Sequence, residues 1–97
     1  METIRSEAFA AWLKNLRDPV AKIAILRRLG HIDRGLLGDV KPVGEGVMEA
    51  RIHQGAGYRV YFIQHGATVI IILCGGDKSS QDKDIAKAKA MAREWRQ

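Results

Sequence analysis

The hydrophobic period of the chain changes twice. Over residues 9–29 apolar residues recur every three or four positions, over 47–62 every second position, and over 69–74 they run unbroken. The first spacing predicts helices, because such a stripe covers one side of a 3.6-residue turn. Ser6 can cap a helix over residues 7–17 with Phe9, Trp12, Leu13 and Leu16 on one face. Asp18-Pro19 breaks the chain and restarts it, since proline suits a first helical turn. Val20, Ile23, Leu26 and Leu29 then form the next apolar stripe, and Gly30 ends it. The two helices read as an antiparallel hairpin, preceded by a short strand over residues 2–5.

Residues 31–46 are punctuated by Gly35, Gly38, Pro42, Gly44 and Gly46 and read as turns. From Val47 the period is two. Met48, Ala50 and Ile52 face one way, and Glu49, Arg51 and His53 the other. Gly55-Ala56-Gly57 makes a hairpin turn, after which Tyr58, Val60 and Phe62 continue the apolar face opposite Arg59, Tyr61 and Ile63. His65-Gly66 turns into residues 67–74, apolar on both faces, which predicts the central and most buried strand. Beyond Gly75-Gly76, Ser79 or Ser80 caps a last helix. Asp82 and Asp84 in its first turn and Arg93 and Arg96 in its last suit the macrodipole. Ile85, Ala88, Ala92 and Trp95 give it an apolar stripe. The order predicts an α+β fold: a small antiparallel sheet packed against an N-terminal helical hairpin and a C-terminal helix, as one domain over residues 1–97.

Composition narrows the class. The single cysteine, Cys74, sits in the apolar run and cannot form an intramolecular disulfide, so a buried thiol in a reducing cytoplasm is expected. The longest apolar run is too short to span a bilayer, and charges interrupt the first twenty residues, so neither a membrane anchor nor a signal peptide is expected. The net charge is +5. Cations exceed anions by seven to four over residues 1–38 and by six to four over 66–97, and balance at three each between. Such a surplus admits a nucleic-acid partner.

With the apolar strand face turned to the helices, Arg51, His53, Arg59 and Tyr61 share the opposite face, expected to lie uncovered. Lys78 enters from the Gly-rich corner, and Lys41 along the preceding loop. Cations with an aromatic and no matching run of carboxylates suit RNA, since guanidinium forks bind phosphate and rings stack on bases. The same positions also fit a plain solvated face with cross-strand pairs, Glu49 with Arg59 or His53 with Tyr61. Gly75-Gly76-Asp77-Lys78-Ser79-Ser80 is not a phosphate-binding P-loop, because Asp77 separates glycine from lysine. A helix start beside Lys78 can still bind an anion, or simply be capped. His31, His53 and His65 stand far apart along the chain without ligand spacing, so no metal or other cofactor is expected. Phe9, Trp12, Phe62 and Trp95 read as core.

Four segments in order carry a resemblance: residues 38–44 (Gly-Asp-Val-Lys-Pro-Val-Gly), 49–52 (Glu-Ala-Arg-Ile), 57–62 (Gly-Tyr-Arg-Val-Tyr-Phe) and 73–79 (Leu-Cys-Gly-Gly-Asp-Lys-Ser). Together they resemble the phage Gp49-like, HigB-type killer proteins of the RelE/ParE superfamily, toxins of bacterial type II toxin–antitoxin modules. The resemblance implies a RelE-like fold, a helix-turn-helix antitoxin as partner, and metal-independent cleavage of mRNA on the ribosome. Protein cations would there stabilise the charge that develops as a 2′-hydroxyl attacks the adjacent phosphate. The family's strand cation corresponds to Arg51, its Tyr-Arg pair to Tyr58-Arg59, and the cation after the last strand to Lys78. Arg51, Arg59 and Lys78 are thus the implied catalytic set, with Lys41, His53, Tyr58 and Tyr61 contacting RNA. The chain departs from the RelE pattern at Glu49, where a second cation is usual, and after Ser80, where it lacks the usual tyrosine or histidine. His53 and Lys78 remain as alternatives for a general base. The ParE branch, which poisons DNA gyrase, and a non-catalytic binding relative are the other readings.

Overall fold

Ser6 starts the first helix by accepting a hydrogen bond from the Phe9 N–H at 3.0 Å, and Asp18 starts the second from the Ala21 N–H at 3.0 Å. The computed structural model describes residues 1–96, and among them the chain forms five strands and three α-helices. In order these are β1 (Glu2–Arg5), α1 (Glu7–Asn15), α2 (Pro19–Asp33), β2 (Val40–Gly44), β3 (Val47–Ile52), β4 (Tyr58–His65) and β5 (Val69–Gly76). A 3₁₀ turn, Lys78–Ser80, then leads into α3 (Gln81–Trp95).

Gly30 does not end α2. It lies on the solvent side, where a helix tolerates it, and the chain stays helical to Asp33. Gly35, at φ +81°, makes the stop. Its N–H donates to the Ile32 carbonyl at 2.8 Å and the Leu36 N–H to that of His31 at 2.9 Å, the paired bonds of a Schellman motif. The buried side of α2 is Ala21, Ile25, Leu29 and Ile32, whereas Val20, Ile23 and Leu26 of the expected stripe are exposed. Apolar residues occupy several sides of this helix, so periodicity alone does not choose between them.

The strand order is β1-β5-β4-β3-β2. The three pairings joined by turns or adjacent in sequence are antiparallel, but β1 pairs with β5 in parallel, which makes the sheet mixed rather than antiparallel. No hairpin turn dictates the direction of β1, because its partner lies at the far end of the chain. The central strand is β4, with β5 buried beside it. β2 lies within the stretch read as turns. It is an edge strand carrying Pro42, a residue that edges accept, and it bulges between Pro42 and Gly44.

Both faces of the sheet are covered. Phe9 and Leu13 of α1 with Ile25, Leu29 and Ile32 of α2 pack on Ala50, Ile52, Val60, Phe62, Ile70 and Ile72. On the other side Ala88 and Ala92 of α3 close over Val47, Tyr61, Ile63, Ile71, Leu73 and Cys74. Burying each large aliphatic side chain contributes about 1.5–3 kcal/mol. The face expected to lie open is therefore roofed by α3, and Trp95, expected in the core, is exposed. A bulge at the β4–β5 pairing steps the register so that Tyr61 faces Cys74 and Phe62 faces Ile72. Leu73 is the extra residue, and both Leu73 and Cys74 join the α3 side. Arg93 anchors the far end of α3 by a forked pair to Glu45, at 2.9 and 2.7 Å.

Candidate functional site

The β3–β4 register sets Glu49 opposite Tyr61 and Arg51 opposite Arg59, so all four side chains share the α3 face. Glu49 is fully buried (0% exposed). Its Oε2 accepts the Tyr61 hydroxyl and Gln81 Nε2, each at 2.9 Å, and its Oε1 accepts Arg51 Nε at 3.4 Å. Arg59 Nε stands 3.6 Å from Oε2. A buried carboxylate is tolerable only when paired and hydrogen-bonded, and here it is both. Burial works to raise the Glu49 carboxyl, but the bonds from Gln81, Tyr61 and Arg51 and the charge of Arg59 outweigh it and hold the group below the ordinary range.

That arrangement revises the expected face. Tyr61 is fully buried, so in this fold it has no surface on which a base could stack. Burial, then the bond to Glu49, drives its hydroxyl far above the ordinary phenol value. Neither alternative cross-strand pair forms in register, although Arg59 reaches Glu49 diagonally. The arginines are also not free of carboxylates, because Glu49 lies between them.

Arg51, Arg59 and Lys78 do gather at one end of the sheet. Arg51 has a third of its side chain exposed (34%) and Arg59 much less (13%). Arg59 Nη1 donates to the Gly57 carbonyl at 2.8 Å, while its buried Nε has no hydrogen-bond acceptor among the described residues. The Lys78 N–H donates to the Ala56 carbonyl at 3.4 Å, which seats the exposed lysine against the 55–57 turn beside Arg59. Gly57, at φ +75°, lets the chain turn there. Lys41 is exposed on edge strand β2, in register with Glu49 and on the same side.

Of the two readings of the helix start, the capped one is seen, with Asp77 rather than a serine as the cap. The Asp77 carboxylate accepts the Ser79 N–H at 2.8 Å. The Ser79 hydroxyl bond, opposed by desolvation and helped by the Ser79 and Ser80 backbone N–H groups and by Arg59, holds Asp77 below the ordinary carboxylate range. Ser80 bonds Asp84 instead of capping α3. A notch of about 290 Å³ lies alongside, lined by Lys78, Ser79, Ser80, Gln81, Asp82 and Lys83.

Tyr58 and His53 do not share the α3 face with the arginines. Tyr58 is on the α1–α2 face, its ring edge-on to Trp12 at 6.2 Å, so it and Arg59 point to opposite sides of the sheet. Desolvation, then the charges of Asp18 and Asp77, raises its hydroxyl. His53 follows β3 and bonds Asp39 Oδ2 through Nε2 at 2.6 Å. That bond, against desolvation and with the charges of His53, Arg51 and Arg28, holds Asp39 low. His53 lines a cleft of about 230 Å³ with Gln54, Arg51 and, from α2, Arg27, Arg28 and His31. Two histidines far apart in sequence thus line one cleft, although no three metal-ligating side chains gather among the described residues. Cys74 is no nucleophile, since burial and then Asp84 push its thiol up to about 12, with Lys87 opposing.

Glu49 and Gln81 lie outside the residues singled out from the sequence as a site. The available signal was a lone glutamate on an alternating strand, two residues before an arginine. Gln81 gave none, because its contact depends on where α3 lands.

No described helix is long and apolar enough to cross a membrane. A protein of Haemophilus influenzae, named only as uncharacterized, is 46% identical over 86 residues, which cover 89% of this chain and 87% of that relative. The family described as phage derived protein Gp49-like (DUF891) matches residues 11–95. With residues 11–95 so matched, the chain belongs to the Gp49-like family of phage-derived proteins.

Proposed function

We propose that this chain is the toxin of a bacterial toxin–antitoxin module, with a RelE-like arrangement, acting as a ribosome-dependent mRNA endonuclease. The observation that carries the reading is the convergence of two guanidinium groups on one buried carboxylate beside Lys78. Gp49-like proteins are commonly associated with such modules, which implies an antitoxin as partner. Glu49 is a positioning residue here: it fixes the two arginines before substrate arrives, so little reorganisation is left for the transition state. Attack of a 2′-oxygen on the adjacent phosphorus forms one P–O bond, the hydroxyl proton passing to water, and breaks the bond to the 5′-oxygen of the next nucleotide, which takes a proton from water. Arg51 and Lys78 oppose the charge gathering on the phosphoryl oxygens, and Arg59 acts largely from beneath. Tyr61, buried on Glu49, is part of that support.

One observation favours a second reading. His53 is bonded to Asp39 and Tyr61 is buried on Glu49, so neither is free to carry a proton for a phosphate held by the arginines. A gyrase poison or a non-catalytic binding relative needs none. Brief induction of the chain, with mapping of mRNA 5′ ends, separates the readings. New ends at a fixed codon position, confined to translated frames, support the nuclease. Growth arrest with intact mRNA and gyrase-linked DNA breaks would sink it.

A further inference from the structure

The cleft between α2 and the end of β3 is separate from the Lys78 corner and has a different composition. Three arginines and two histidines line it, and Asp39, at its rim, is already bonded to His53. One cation is structural. Arg28 donates to the carbonyls of Leu37 at 2.9 Å, Arg51 at 2.7 Å and Asp39 at 2.6 Å, tying α2 to the chain entering β2 and to β3. Gly38, at φ +73°, makes room for it, since a Cβ there would stand 3.0 Å from the guanidinium carbon. The wall is therefore fixed before any ligand arrives. Arg27 is exposed and His31 half-buried at the opening, and Arg51 spans both places, lining the cleft while its Nε holds Glu49.

We infer that this cleft is a second phosphate site, holding a phosphodiester of a single-stranded nucleic acid whose neighbouring phosphate lies at the Arg51–Lys78 end of the sheet. The assignment rests on the nuclease reading for its substrate class. Its own ground is the fixed concave surface, its surplus of cations and the continuity through Arg51. The lining holds three arginines and no phenylalanine, tyrosine or tryptophan on which a base could stack, so recognition there reads backbone rather than sequence.

The test is a titration of the isotope-labelled full chain with a 2′-O-methyl hexauridylate, whose blocked 2′-oxygen prevents cleavage. DNA of the same length and a hexaglutamate peptide serve as comparisons. Amide shifts at Arg27, His31, His53 and Gln54 should saturate with the overall binding curve. The Arg27→Ala/His31→Ala double variant, checked for an unchanged fold, should bind roughly tenfold more weakly and lose about 0.7 from the salt slope per phosphate contact removed. Arg27→Glu should weaken binding further. Binding of either RNA or DNA supports the assignment, and a preference between them identifies the sugar. Shifts confined to residues 78–83, a double variant that binds like the parent, or hexaglutamate binding as tightly as the nucleic acids would overturn it. Cleft binding without mRNA cleavage in cells removes the nuclease reading alone; cleavage with a silent cleft removes this site alone.

Discussion

Tyr61 donates its hydroxyl to Glu49 Oε2 at 2.9 Å, and neither side chain reaches solvent. The strands place the two directly across from each other, so the bond follows from the β3–β4 register rather than from a loop. Gln81 meets the same oxygen from the first turn of α3. One carboxylate thus links the sheet, the last helix and both arginines of the candidate site. Hydrogen bonds in such a closed network support one another, and removing one member strands the rest.

Glu49→Gln should therefore destabilise the fold by about 3–5 kcal/mol, the usual cost of breaking a buried charge pair from one side. Thermal or urea unfolding measures it. The pH dependence has a definite sign: the Glu49 carboxyl is held low in the folded state, so its contribution is present above the unfolded value and is lost as pH falls through the folded one. The gap between parent and variant should begin to narrow as pH falls below the ordinary glutamate value of about 4.3. A gap that stays constant into acid would mean that Glu49 acts by shape alone.

Lys78→Ala and Arg51→Ala should lower mRNA cleavage by about 10²–10³ each if they stabilise developing phosphoryl charge. Lys78 is exposed, so Lys78→Ala should leave the folded spectrum and melting midpoint little changed, whereas Arg51→Ala also gives up a 3.4 Å bond to buried Glu49 and should lower the midpoint modestly. Arg59 behaves differently. It is largely buried against Glu49, so Arg59→Ala should lose stability together with activity, and Arg59→Lys should recover part of the first and little of the second. Full toxicity in the folded Lys78→Ala and Arg51→Ala variants would remove them from the site.

Cys74 should be inert to thiol reagents in the native protein. Its thiol is buried and pushed up to about 12, so hardly any thiolate exists near neutral pH. Labelling should follow the rate of opening and accelerate in denaturant. Fast stoichiometric labelling of the folded chain would show that α3 lifts readily from the sheet.

The strands of the middle segment were legible because a period of two names both the element and the partition of its faces: Met48, Ala50 and Ile52 against Glu49 and Arg51. That partition could not say whether the charged side was open. A single buried carboxylate can pair with two arginines beneath a helix, and only the landing place of α3 reveals it. Ala88 and Ala92 bring α3 close to the sheet with little apolar bulk, so its stripe gave no hint of a whole face to be covered. β1 was legible as a strand but not in direction, since direction comes from β5 at the other end of the chain. Gly30 and Gly35 both resemble stops; the Leu36 and Gly35 N–H groups, not composition, make the second one real. Of the candidate residues, Arg51, Arg59 and Lys78 come together and Lys41 shares their side, while Tyr58 and His53 depart because each points or extends beyond the α3 face.

Gly75 lies where β5 ends, and a Cβ there would stand 2.5 Å from Cε3 and Cζ3 of Trp12. The indole cannot retreat freely, because its ring meets Phe9 at 5.8 Å and Tyr58 at 6.2 Å. Gly75→Ala should therefore force Trp12 off its rotamer and cost about 1–3 kcal/mol, as overpacking does. If the cost is the clash, it should shrink when the ring is removed. In a double-mutant cycle, Gly75→Ala in a Trp12→Leu background should cost less than in the parent, with a coupling of about 0.5–3 kcal/mol between the sites. Additive costs would instead assign the loss to the backbone of β5. Because Arg59 pairs with Gly76, the next residue, a shift of the β5 end should also reach the arginine cluster, so the same variant should lower toxicity more than its stability loss accounts for.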